Sequence, residues 1–158
     1  FAYGQRLAQE LRGGEVIALV GELGAGKTVL VKGVAAGLGI RHAITSPTFL
    51  LLRVYPVRGH RRIKRLAHVD AYRIKRPAEL LDVGLKDYLG KPDTVTVIEW
   101  ADRVATVMPR QRTTITLQLG SAATRRRITL RAALTAPHAP ATMPTPVFGH
   151  TKRRQEHR

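Results

Sequence analysis

The chain has 158 residues, with 27 Lys and Arg against 11 Asp and Glu, a formal net charge of +16 and no cysteine. That length suits one packed domain, and 44% hydrophobic residues exclude a wholly disordered basic peptide. No apolar run approaches the roughly 20 residues of a membrane-spanning helix, and without cysteine there can be no disulfide, thiolate metal site or cysteine nucleophile, a composition suited to the reducing cytoplasm.

Phe1 in place of an initiator Met suggests a sequence that begins inside a longer chain, and no signal-peptide pattern is visible at its start. Residues 3–12 carry Leu7, Ala8 and Leu11 at helical spacing, and Gly13-Gly14 ends the segment. Residues 16–20 (Val-Ile-Ala-Leu-Val) are wholly apolar, as in a parallel strand buried on both faces. A Gly-rich turn follows, and then a predicted helix over 28–38 stopped by Gly39. This strand–turn–helix opening marks an α/β fold. Further along come a polar loop at 45–49, a strand over 49–55, a basic turn over 58–65 and a strand over 66–69 that runs into Asp70. Helical fragments are predicted at 78–81 and 86–89, and a strongly apolar strand at 95–98 runs into Glu99. Alternation over 113–119 and 127–130 predicts a closing hairpin around Gly120-Ser121. From 136 on, four prolines interleaved with Ala, Thr and His give way to charge, which predicts a Pro-rich basic disordered tail over 136–158 after a domain over 1–135.

The most specific signal is Gly21-Glu22-Leu23-Gly24-Ala25-Gly26-Lys27-Thr28, which matches the phosphate-binding pattern G-x-x-x-x-G-K-[ST]. Backbone N–H groups must converge on a polyphosphate from a tight loop, and glycines at 21, 24 and 26 allow that approach. The following helix adds the positive end of its dipole. Lys27 supplies a point charge to the phosphates, and the Thr28 hydroxyl suits Mg²⁺. Such sites also place a carboxylate at the end of an apolar strand. Asp70 and Glu99 both qualify. Glu99 follows the cleaner strand, because His68 interrupts the run before Asp70, and periodicity does not assign their separate roles. The hydroxyls of Thr45, Ser46 and Thr48 could sense a terminal phosphate or form an ordinary turn. Trp100, the single tryptophan, is expected to pack in the core.

Other classes are weaker. A guanine-specific site needs an asparagine-containing motif, and the chain has no asparagine. A small-molecule or nucleotide kinase shares the phosphate loop and would use arginines such as Arg73, Arg103 or Arg125, Arg126 and Arg127. An RNA-binding module could use the 58–65 run, but aromatics make up only 5% of the chain and no stacking platform is apparent. The charge is also uneven: residues 1–50 hold five basic and three acidic side chains, residues 51–136 hold eighteen and seven. The excess therefore lies downstream of the phosphate loop.

Four ordered blocks carry a resemblance to a known family: the loop 21–28, Thr-Ser-Pro-Thr-Phe at 45–49, His-Val-Asp-Ala-Tyr-Arg at 68–73 and Val-Ile-Glu-Trp-Ala-Asp-Arg at 97–103. Together they resemble the TsaE family of bacterial P-loop ATPases required for threonylcarbamoyladenosine modification of tRNA. The resemblance covers about residues 3–131. It implies a three-layer P-loop sandwich with a mostly parallel sheet and a C-terminal antiparallel hairpin. It also implies ATP bound by the loop 21–28 together with Val29, and Mg²⁺ on Thr28 and Glu99. Asp70 becomes the Walker B-like acid, Lys27, Asp70 and Glu99 the groups that support hydrolysis, and 45–49 a switch-like loop including Thr45, Ser46 and Thr48. The implied partners are TsaD- and TsaB-type proteins, with tRNA met through that complex and no membrane.

Overall fold

The computed structural model describes residues 1–122 and 125–132. The tail expected over 136–158 lies outside these residues. The chain begins with helix α1 (Ala2–Glu10), strand β1 (Val16–Val20) and helix α2 (Lys27–Gly37), followed by the antiparallel pair β2 (Leu52–Pro56) and β3 (Arg65–Asp70). A short helix α3 (Glu79–Asp82) and a 3₁₀ turn (Leu85–Asp87) lead to β4 (Thr94–Glu99). A 3₁₀ segment (Ala101–Val107) leads to the closing hairpin of β5 (Thr113–Leu119) and β6 (Arg126–Ala132).

The six strands form one sheet in the order β2-β3-β4-β1-β5-β6. The inner four are mutually parallel, and each edge strand is antiparallel to its neighbour. The mostly parallel sheet and the C-terminal hairpin agree with expectation. β2 adds a second antiparallel edge.

Alternation along β1 explains the layers. Ile17 and Leu19 join a core with Leu7 of α1 and with Val31 and Val34 of α2. Val16 and Ala18 join a second core with Leu80, Leu85 and Val104 on the other face. Successive side chains of a strand point to opposite faces, so a wholly apolar strand needs cover on both sides.

The two helices on the first face touch through glycine. A Cβ added to Gly33 would lie 2.2 Å from the Phe1 carbonyl oxygen, and one added to Gly4 would lie 2.4 Å from that of Leu30. The close approach fixes α2, whose first turn carries Lys27 and Thr28, against α1. Gly33→Val is therefore expected to cost about 1–3 kcal/mol through overpacking, measured by denaturant unfolding. A parental midpoint would refute that tight contact.

The strand expected over 49–55 starts three residues later. Phe49 and Leu50 are apolar, but the amides of Leu50 and Leu51 both donate to the Pro47 carbonyl, so the chain turns there before it extends. Leu51 takes a positive φ of 62°, and Phe49 and Leu50 remain exposed. The 3₁₀ segment after Trp100 has no counterpart among the elements expected from sequence. Among the described residues, no helix is long and apolar enough to cross a membrane.

Candidate functional site

Parallel strands present their C-terminal ends along one edge of the sheet, and the helix after β1 begins there. Glu99 pairs in register with Asp70 on one side and Leu19 on the other. Leu19 belongs to the α2-side core and Val69 and Ile98 to the opposite one. By alternation, Asp70, Glu99 and also His68 point to the α2 face. That is the face on which Lys27 and Thr28 begin α2.

A cleft of about 440 Å³ opens at this place, lined among others by Gly24, Gly26, Lys27, Thr28, Asp70 and Glu99. Leu23, Val29, Ser46, Thr48, Tyr72 and Trp100 complete its walls. Gly24 and Gly26 have φ of 78° and 101°, values that favour glycine. An added Cβ at either would meet nothing within 4 Å, so these glycines answer to backbone conformation and leave open space in front of the loop.

The two carboxylates have different partners. The Thr28 hydroxyl donates to Glu99 Oε2 at 2.9 Å, while His68 Nε2 lies 2.8 Å from Glu99 Oε1. A carboxylate only accepts, so Nε2–H is the donor. His68 Nδ1 is buried without a partner. Asp70 instead holds the preceding loop: Thr48 Oγ1 donates to its Oδ2 at 2.7 Å and Ser46 Oγ donates to the same oxygen. The Tyr72 amide donates to Oδ1 at 2.9 Å. Glu99 thus belongs to the phosphate loop, and Asp70 latches the 45–49 segment.

Lys27 is almost fully buried. Its ammonium donates to the carbonyls of Gly21 at 2.6 Å and Glu22 at 2.9 Å and lies 3.6 Å from the centre of the Trp100 ring. Burial holds its pKa below the ordinary lysine value, and the nearby Glu99, Asp70 and Asp102 carboxylates partly offset this. An anion arriving in the cleft would favour the charged form that burial penalises.

The remaining sequence candidates are placed unevenly. Thr45 is exposed and outside the cleft lining, and its hydroxyl accepts a long 3.4 Å contact from Arg53. Ala25 is buried beneath the loop. Gly21 and Glu22 line a neighbouring cavity of about 580 Å³ against β5 and the hairpin turn, together with Arg127. Arg126 reaches the loop itself, donating to the Gly24 carbonyl at 3.3 Å. Arg103 donates to the Tyr72 carbonyl at 2.6 Å, and Arg73 stacks over Phe49 at 4.3 Å.

Two residues gain a place that sequence reasoning did not give them. Trp100 packs against the second core, but it also walls the cleft, held at a φ of 58° that is rare for a bulky side chain. Its indole lies 5.0 Å from the Tyr72 ring. His68 interrupts an apolar strand, yet its ring is the buried partner of Glu99. The signal for it was the two-residue spacing to Asp70, which puts both on one face.

Comparison with known proteins agrees with this architecture. A family model described as threonylcarbamoyl adenosine biosynthesis protein TsaE matches residues 1–128. A Streptomyces coelicolor protein named tRNA threonylcarbamoyladenosine biosynthesis protein TsaE is 48% identical over 100 residues, spanning 63% of this chain and 65% of its own length. A Treponema pallidum protein of the same name is 43% identical over 117 residues, spanning 74% and 82%. The crystal structure of Bacillus subtilis YdiB superposes with a TM-score of 0.63 at 28% identity, covering 83% of this chain and 79% of that one. The match to the family model over most of the chain, on a P-loop fold that carries all four sequence blocks, places this protein in the TsaE family.

Proposed function

We propose that this protein binds and hydrolyses Mg²⁺-ATP in support of threonylcarbamoyladenosine modification of tRNA, working with TsaD- and TsaB-type proteins in the cytoplasm. The observation that carries the reading is the convergence of Lys27, Thr28, Glu99 and the Asp70-latched loop on one cleft in front of open glycines. Several kinds of oxygen donor are present: a threonine hydroxyl, two carboxylates and loop hydroxyls. Among the described residues no three His, Cys, Asp or Glu side chains cluster as a metal cage. That suits Mg²⁺, which uses one or two protein oxygens plus phosphate and water. When bound, the metal supplies charge neutralisation across the terminal phosphates.

The chain's own groups then divide the work. The Gly21–Gly26 backbone and the start of α2 present N–H groups to the phosphates. Lys27 exchanges loop carbonyls for phosphate oxygens and so places its charge where negative charge develops. Thr28 and Glu99 hold the metal side, with Glu99 steadied by His68. Asp70 releases the Ser46 and Thr48 hydroxyls to the terminal phosphate and orients water. This exchange links the presence of that phosphate to the shape of the 45–49 loop, and so to the surface offered to a partner.

The test is phosphate release from Mg²⁺-ATP, measured alone and with the two partner proteins and tRNA. Release in the absence of any acceptor, increased by the partners, is the expected result. Stoichiometric transfer of the phosphoryl group to a nucleoside or small alcohol would replace this reading with the kinase one.

A further inference from the structure

The strands begin at the end of the sheet opposite the cleft, and a second feature is built there. The loop from 57 to 64 joins β2 to β3 and is braced rather than loose. Val57 and Ile63 are buried in the core. The His60 Nδ1 accepts from the amides of Arg62 and Ile63 at 3.3 and 2.9 Å. The Val57 amide donates to the Lys64 carbonyl, and the Lys64 amide to that of Asp93, both at 2.8 Å.

Between these anchors the loop holds Arg58, Arg61, Arg62 and Lys64 in solvent. Neighbouring segments add more positive charge. A Cβ on Gly39 would lie 3.9 Å from the Arg58 carbonyl, and Gly13 faces Pro92 and Ile63. These contacts bring the exposed Arg41 and Lys91 to the same end. Among the described residues, none of Arg41, Arg58, Arg61, Arg62 and Lys91 has an acidic partner. The nearby acids are occupied: Asp93 pairs with Arg65 at 2.7 Å, and Glu15 accepts from the amides of Arg12 and Gly13 at 2.6 and 2.8 Å.

The chemistry of this end distinguishes its partner. Protein-binding patches have an apolar, often aromatic centre within a polar rim. The exposed large apolar residues of the described chain, Leu23, Phe49, Leu50 and Tyr72 among them, all lie outside the segments that build this end. What remains is unneutralised, exposed guanidinium groups on a braced backbone without an apolar centre, which is the footprint of phosphodiester recognition. Arginine also suits phosphate through its planar fork of donors.

We propose that the end of the sheet formed around the 57–64 loop binds the phosphate backbone of RNA directly, with Arg58, Arg61 and Arg62 as its centre. The family resemblance implies tRNA met through partner proteins. The braced loop supplies a direct contact that leaves the ATP cleft, at the other end of the sheet, free for nucleotide and protein partner. The choice of tRNA as probe rests on the proposed function; the arginine surface does not.

The experiment uses the full chain and an unmodified tRNA transcript, with binding followed by fluorescence anisotropy across about 50 to 200 mM salt. Three proteins are compared: the parent, R58S/R61S/R62S, and the charge-matched control K75S/K86S/R110S. The parent and the control should bind with the same steep salt dependence. The arginine variant should bind at least about tenfold more weakly at low salt. Its slope of log affinity against log salt should fall by about two to three, near one for each phosphate no longer neutralised. Phosphate release from Mg²⁺-ATP should be equal in all three. The proposal is overturned if the parent does not bind tRNA at low salt, if both variants lose affinity equally, or if the parent prefers phosphatidylglycerol vesicles to tRNA. Loss of ATP turnover in all three with tRNA binding intact would instead overturn the proposed ATPase function and leave this surface standing.

Discussion

Lys27→Ala is expected to lower ATP turnover by about two orders of magnitude or more, the scale seen when a single preorganised electrostatic group is removed. The change acts at two places. It removes the one cation buried within the phosphate loop, and it releases the Gly21 and Glu22 carbonyls that the ammonium now holds. Lys27→Arg is not expected to rescue. A guanidinium is larger and planar, and the lysine it would replace is almost fully enclosed against the Trp100 ring. Steady-state phosphate release, with circular dichroism to show retained folding, decides the matter. A folded Lys27→Ala protein with near-parental turnover would remove Lys27 from its assigned role.

Glu99→Gln should separate metal-dependent from metal-independent binding. The glutamine keeps the volume of the side chain but loses its charge and one acceptor. It cannot accept from both Thr28 and His68 as the carboxylate does. We expect the Mg²⁺ concentration needed for ATP binding to rise more than about tenfold, while ATP binding without Mg²⁺ changes little, as read by titration calorimetry. Glu99→Ala is a poorer probe, because it leaves the buried His68 donor unpaired at about 1–3 kcal/mol. His68→Leu should move the Mg²⁺ requirement in the same direction by a smaller amount, and His68→Gln, whose amide can still donate to Glu99, should restore it. Equal losses with and without Mg²⁺ would show that Glu99 serves the fold and not the metal.

What could be read from the sequence was local. The apolar run 16–20, the glycine spacing of 21–28 and the run ending at Glu99 each state their own conformation through composition, and the structure has the matching elements there. The order of the sheet could not be read in this way. Nothing near β1 in sequence indicates that β4, far along the chain, pairs beside it. Phe49 and Leu50 misled because apolar character marks burial or interaction and not extension. The turn at Pro47 placed them outside the strand. His68 reads as a flaw in an apolar strand because a one-dimensional pattern does not show the neighbouring strand. There His68 pairs with Val97, and Glu99 follows on the same face. Trp100 reads as packing alone because its left-handed backbone, which accompanies the indole's place beside Lys27, has no composition signal in a non-glycine residue.

The two antiparallel edges have a consequence for the protein's behaviour in a crowded solution. An open sheet ends in rows of unpaired backbone donors and acceptors, which are templates for joining another chain. Here β2 ends in Pro56 and carries an exposed Arg53, and β6 carries Arg126, Arg127 and Arg131 along seven largely exposed residues. Proline removes a donor from one border, and like charge on the other resists stacking of a second sheet against it. The borders of the sheet therefore discourage the growth of fibrils and mispaired dimers while the parallel interior, slow to assemble because its contacts are distant in sequence, is still forming.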